Sequence, residues 1–131
     1  MQTVANPELA TRTALSFPAE PASATRARRF VTGVLGSVVG DDVVDVAALL
    51  TTELAANSVI HAGSAIDVEI SVGEEQVTVL VADTQPGHPT RIEADVEGTF
   101  GRGLLLVDRL SDRWGVSPRA AGKVVWFSLT R

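Results

Sequence analysis

The segment from Asp41 to His61 constrains the fold more than any other part of the chain. Its apolar side chains Val43, Val46, Ala47, Leu50 and Leu54 recur at helical spacing. Rotated by about 100° per residue, they fall within one stripe roughly 100° wide. A helix with a single apolar stripe must bury it against another layer. Asp41 reads as the cap of this helix, with Asp42 and Asp45 near its positive end, and Gly63 as its stop. A second helix is expected from Pro21 to Val38, where Ala27, Phe30, Val31, Val34, Leu35 and Val38 share one face and Gly40 closes the segment.

The covering layer has to come from the extended segments. Ala65–Val72 and Gln76–Asp83 alternate or run apolar, and only Gly73-Glu74-Glu75 separates them, which reads as a hairpin. Arg113–Ser117 and Lys123–Thr130 form a second hairpin around Pro118–Gly122, and Ala14–Phe17 is a short edge strand ended by Pro18. Thr84–Phe100 is polar and rich in Pro and Gly; a loop of that length in a small domain is commonly functional. A last helix is expected from Leu104 to about Leu110. The expected fold class is α+β: a two-layer α/β sandwich with a mixed, mostly antiparallel sheet and helices on one face. Residues 1–13 read as a loosely held N-terminus and residues 14–131 as one domain.

Composition removes several functions. Net charge is −5 and the basic residues are dispersed, with Arg26, Arg28 and Arg29 their one cluster, which argues against direct nucleic-acid binding. There is no cysteine, so disulfides, thiolate metal sites and cysteine nucleophiles are excluded. The N-terminus lacks a basic start followed by an apolar run, and no apolar stretch approaches the ~20 residues that span a bilayer. A cytoplasmic protein without membrane contact is the expectation.

Glu53, Asn57 and His61 interrupt the apolar stripe of the long helix, each one turn from the next. A carboxylate and an amide in that position cost several kcal/mol if they lack partners. A buried hydrogen-bond network would satisfy them. So would a polar pocket, in which the Asn57 carbonyl could ligate a hard cation such as Mg²⁺ and Glu53 could orient or deprotonate a nucleophile. His61, in the last turn, suits the helix C-terminus. Asp83 ends a run of Val77, Val79, Leu80 and Val81; it either initiates a turn or accepts from the exocyclic amine of a base. In Gly98-Thr99-Phe100-Gly101-Arg102-Gly103, the glycines stand ahead of the last helix, where free N–H groups can receive an anion.

The set Glu53-Leu54-x-x-Asn57-x-x-x-His61-Ala62, then Val81-x-Asp83, then Gly101-Arg102-Gly103-Leu104-x-x-Val107 and Asp112-Arg113-Trp114-Gly115, resembles the GHKL ATPase superfamily. It is most similar to the small anti-sigma-factor serine/threonine-protein kinases. The resemblance runs from Ser16-Phe17-Pro18 to Lys123-Val124-Val125-Trp126-Phe127 and implies the Bergerat fold.

It further implies ATP and Mg²⁺ as ligands. Asn57 matches the asparagine that holds Mg²⁺ against the phosphates, and Glu53 the general base. Asp83 matches the aspartate that binds the adenine amine. Gly101, Arg102, Gly103 and Leu104 match the segment that cradles the phosphates, and Thr84–Phe100 the ATP lid. The implied activity is transfer of the γ-phosphoryl group to a serine or threonine of an anti-sigma-factor antagonist, with a sigma factor as second partner and a homodimer as a possible assembly. A binding module that sequesters a partner without turnover is the alternative, and a detached histidine-kinase domain a more distant one.

Two departures from the family pattern are visible. Where relatives often have Gly-x-Gly after the aspartate, this chain has Thr84-Gln85-Pro86-Gly87, so Gly87 alone stands in for that box. Val124 stands where many relatives have a threonine near the adenine, which implies a weaker or differently hydrated base contact.

Overall fold

The computed structural model describes residues 11–84 and 99–131, and for His61 and residues 99–102 the backbone alone. The elements are β1 (Thr11–Phe17), α1 (Ala22–Leu35), α2 (Asp41–Ala56), a π-helical turn (Asn57–His61), β2 (Ile66–Val72), β3 (Gln76–Asp83), α3 (Thr99–Leu110), β4 (Arg113–Pro118) and β5 (Lys123–Thr130). The strands form one five-stranded sheet in the order β1-β2-β3-β5-β4. Every neighbouring pair is antiparallel, so the sheet is wholly antiparallel among the described residues. With the helices on one face, this is the expected α+β two-layer sandwich.

Alternation along the strands builds the interface between the layers. Ile66, Val68 and Ile70 of β2, Val77, Val79 and Val81 of β3, and Val125, Phe127 and Leu129 of β5 are all buried. They meet Leu50, Leu54 and Val59 of the α2 segment, Val31 and Leu35 of α1, and Leu104 and Val107 of α3. Full burial of such a side chain contributes about 1.5–3 kcal/mol. Helices α1 and α2 pack against each other, and each buries small residues: Ser23, Ala24 and Ala27 on one, Ala47, Ala48 and Ala55 on the other.

Several boundaries differ from expectation for local reasons. Strand β1 starts at Thr11 rather than Ala14, because Thr11–Thr13 find partners in Val72–Ile70 of β2. The cap of α2 is Gly40, and Asp41 and Asp42 occupy its first turn without capping it. The first helix ends at Leu35, because Val38 and Val39 turn back to bond the Leu35 carbonyl. Most consequentially, α3 begins at Thr99, so Gly101 and Gly103 lie inside the helix and not in a turn ahead of it.

The long helix also corrects the expectation about apolar length. Asp41–Ile60 is 20 residues with mean hydropathy 1.5, enough to cross a membrane by length and composition alone. Half of it is buried in the domain, where it is the core helix. Its hydropathy is high because it packs on both α1 and the sheet, so few of its positions face water.

Past α3, the chain is fastened to β5 by Asp112. The Asp112 N–H donates to the Ser128 carbonyl at 2.9 Å, and the Thr130 N–H donates to Asp112 Oδ2 at 2.6 Å. Hydrogen bonds from Thr130, by its side chain first and its backbone second, hold the Asp112 carboxyl below the usual carboxylate range. Because the folded-state value is the lower one, this stabilisation is present above the unfolded-state value and lost as pH falls through the folded one. The gap in urea midpoint between wild type and Asp112→Ala should therefore hold constant near neutral pH and shrink as pH drops from about 5 to about 3. A gap that stays constant down to the lowest pH would mean that the charge of Asp112 plays no part.

Candidate functional site

Asn57 sits where α2 passes into the π-helical turn. In that turn the Ala62 N–H bonds the Asn57 carbonyl, five residues back, at 3.1 Å. Inserting such a turn shifts the following side chains around the helix axis, and π turns occur often at functional sites. The Asn57 side chain is buried, at 4% exposure, yet its Nδ2 has no hydrogen-bond partner among the described residues. Buried side-chain amides are nearly always paired, so an orphaned one calls for an explanation.

Gly103 of α3 faces it. A β-carbon on Gly103 would stand 2.7 Å from Asn57 Nδ2 and 3.9 Å from Glu53 Cβ. Glycine therefore permits α3 to come in over the turn of α2 that carries both residues. Glu53 is half-buried, so its carboxylate reaches solvent at the rim while Asn57 lies below it. The second buried orphan, Thr51 Oγ1, lies roughly 120° around α2 from Asn57 and belongs to a different face.

The remaining glycine-helix residues are distributed differently from the sequence expectation. Gly101 and Arg102 fall in the first turn of α3, where backbone N–H groups have no intrahelical acceptor. Leu104 lies deeper in the helix and its side chain is in the core at 8% exposure, so its contribution is to packing. The N-terminal end of this helix, with its free backbone N–H groups, is thus at Thr99–Arg102 and not at Leu104. Gly87 and the rest of residues 85–98 lie outside the described residues, as does the side chain of His61.

Asp83 forms the second part of the site, at the C-terminal end of β3. It is held beside the π turn by Ser64, which the sequence reading overlooked. The Ser64 N–H bonds the Ser58 carbonyl at 2.9 Å, and Ser64 Oγ accepts from the Thr84 N–H, also at 2.9 Å. One buried serine thus ties the end of the π turn to the residue after Asp83. Gly63, with φ of 66°, makes the reversal that brings Ser64 there.

The Asp83 side chain, 2% exposed, is paired with Lys123. Oδ1 accepts the Lys123 backbone N–H at 3.2 Å and Oδ2 accepts the Lys123 ammonium. Removing one partner of such a buried pair typically costs about 3–5 kcal/mol. Sequence reading missed Lys123, although its place directly after Gly122 at the start of β5 was a usable signal. It also misplaced Val124. Side chains alternate along a strand, so Val124 points to the opposite face of the sheet from Lys123 and Asp83. There it lines a depression of about 460 Å³ with Leu80, Ala82 and Arg119, away from the helices and from Asn57. The residue at the carboxylate is Lys123, so the missing threonine hydroxyl at Val124 has no bearing on Asp83.

These features define a class: a two-layer α/β sandwich in which the end of the core helix, carrying Glu53 and Asn57, is tied through Ser64 to the end of a central strand carrying Asp83. Residues 17–129 match the histidine kinase-like ATPase domain, and the chain belongs to that family of the GHKL type. No curated protein matches the chain.

Membership implies a bound ATP with Mg²⁺, and the residues present fit both. Asn57 offers an unpaired buried amide, Gly103 an approach free of side chain, and the first turn of α3 a set of backbone donors. Among the described residues no group of three His, Asp or Glu side chains could hold a metal ion. A cation here would rely on the Asn57 carbonyl oxygen, phosphate oxygens and water, the ligand set Mg²⁺ prefers.

Proposed function

We propose that the protein is an ATP-dependent serine/threonine kinase of anti-sigma-factor type, acting on an antagonist protein and binding a sigma factor as its second partner. The observation that carries this reading is the orphaned Asn57 amide beneath Gly103, with Glu53 one turn earlier at the rim. In this reading Asn57 holds Mg²⁺ and the β- and γ-phosphates, while the backbone donors at the start of α3 receive the phosphate charge. Bound Mg²⁺ supplies neutralisation of the charge on the phosphate oxygens.

Glu53 accepts the proton of the partner's hydroxyl as that oxygen bonds to the γ-phosphorus. The bond from the γ-phosphorus to the β–γ bridging oxygen breaks, and ADP leaves with the electron pair. The chain's own contribution is positioning plus preorganised donors, the principal means of catalysis in phosphoryl transfer.

Glu53→Gln tests the assignment. It keeps the shape and a hydrogen-bonding side chain but removes the base. Phosphorylation of an antagonist protein, followed by mass spectrometry, should fall about 100-fold or more, while the calorimetric affinity for Mg–ATP changes less than about threefold. Undiminished transfer by the Gln variant would refute the role of Glu53.

A second reading, a module that sequesters its partner without turnover, is favoured by one feature: the carboxylate expected to meet the base is already engaged by Lys123. Tight binding to a protein partner, with no heat from Mg–ATP or ADP, would select that reading.

A further inference from the structure

Lys123 covers the Asp83 carboxylate on its solvent side. The lysine side chain is 25% exposed and the carboxylate 2%, so a ligand arriving from solvent meets the ammonium first. Both carboxylate oxygens are engaged by this one residue, through its backbone N–H and its side chain. The backbone of Gly122 packs directly on Asp83, leaving room only for hydrogen at its α-carbon. Lys123 is also the only lysine among eleven basic residues.

Resting on the reading that Asp83 lies at the base end of a nucleotide site, we infer that Lys123 sets the base selectivity, so that 6-amino and 6-oxo purine nucleotides are accepted with comparable affinity. The chemistry follows from the two charged groups side by side. A carboxylate is an acceptor and an ammonium a donor only. A 6-amino purine gives an N–H to Asp83 and offers ring N1 to Lys123. A 6-oxo purine offers its oxygen to Lys123 and gives its N1–H to Asp83. Either edge is matched without separating the ion pair. Displacing Lys123 altogether is disfavoured, because a neutral amine would replace a cation beside a buried carboxylate. Without Lys123 only the acceptor remains, and a 6-oxo group would face it with both lone-pair systems unpaired.

Calorimetry with Mg–ATP and Mg–inosine triphosphate reads this directly. Wild type should bind the two within about tenfold of each other, and Lys123→Arg, which keeps a cationic donor, should remain near that ratio. Lys123→Met should widen the preference for ATP to about 100-fold, chiefly by losing inosine triphosphate. Because the chain has a single lysine, selective ¹³Cε labelling yields one side-chain resonance, which should move on saturation with either nucleotide. A wild-type preference for ATP beyond about tenfold overturns the inference. So does a ratio unchanged in Lys123→Met, or a lysine resonance that stays still with both nucleotides bound. If Lys123→Met does not fold, the wild-type ratio and the resonance still decide. Absence of heat from both nucleotides in wild type would remove the nucleotide reading itself, which is a distinct outcome from binding with the wrong ratio.

Discussion

Gly122→Ala is expected to lose about 3 kcal/mol of folding stability or more, a large part of the roughly 5–15 kcal/mol typical of a domain. Two independent costs combine. Gly122 has φ of 96°, a conformation that side chains rarely adopt, and forcing a residue there costs on the order of 1–3 kcal/mol. The added β-carbon would also lie 2.1 Å from the Asp83 carbonyl oxygen and 2.5 Å from Asp83 Oδ1. The first of those atoms is backbone in a central strand and cannot move aside without disturbing the β3–β5 pairing. Relief would have to come from shifting the start of β5, which carries the Lys123 N–H off the carboxylate. The substitution should therefore weaken nucleotide binding as well as the fold.

Gly33→Ala is the matching control. It lies in α1, where an added β-carbon would meet nothing within 4 Å, and alanine there should add up to about 1 kcal/mol through helix propensity. Urea denaturation of the two variants beside wild type measures both effects. A Gly122→Ala variant within 1 kcal/mol of wild type would show that the close approach is not maintained in solution.

Asn57→Ala should behave in the opposite way, with stability nearly unchanged and nucleotide binding reduced about 10- to 150-fold. Ordinarily, truncating a buried polar side chain destabilises a protein by stranding its partner. Here Asn57 Nδ2 has no partner to strand, and an unsatisfied buried group itself carries a penalty of about 1–3 kcal/mol. Removing it offsets the loss of packing. The loss falls instead on the ligand, which forfeits a buried amide contact and the cation it holds. The tightening of ATP binding on addition of Mg²⁺ should disappear in this variant. If Asn57 were a structural residue, the thermal midpoint would drop and the Mg²⁺ dependence would survive; calorimetry and a melt on the same samples separate the two.

Much of this was legible because it depends on neighbours along the chain. The spacing of Val43, Val46, Leu50 and Leu54 foretold the core helix, and the three-residue link after Val72 foretold the β2–β3 hairpin, whose strand Gln76–Asp83 has the expected ends. The position of Glu53 and Asn57 on that helix's apolar side was visible for the same reason. The helical rotation that puts them among apolar residues is a property of the backbone alone. Gly103 was singled out for its lack of a side chain, but its purpose was not apparent. Only the crossing of α3 over α2 shows that the atom it spares is Asn57 Nδ2.

What tertiary structure alone decided begins with Asp83. In sequence it is forty residues from Lys123, and neither residue type implies the other. Their pairing exists because β3 and β5 are neighbours, in a register that brings the first residue of one to the last of the other. Ser64 became a link between the π turn and Thr84 because β2 pairs with β3, Ile66 opposite Asp83, and Val124 was turned to the far face of the sheet by strand alternation counted from the β3–β5 register. Local periodicity determined the elements, the buried faces and the polar residues set among them. Register and packing between distant strands determined which cation meets the carboxylate, since a hydrogen bond depends on distance in space and sequence carries that only within a few residues.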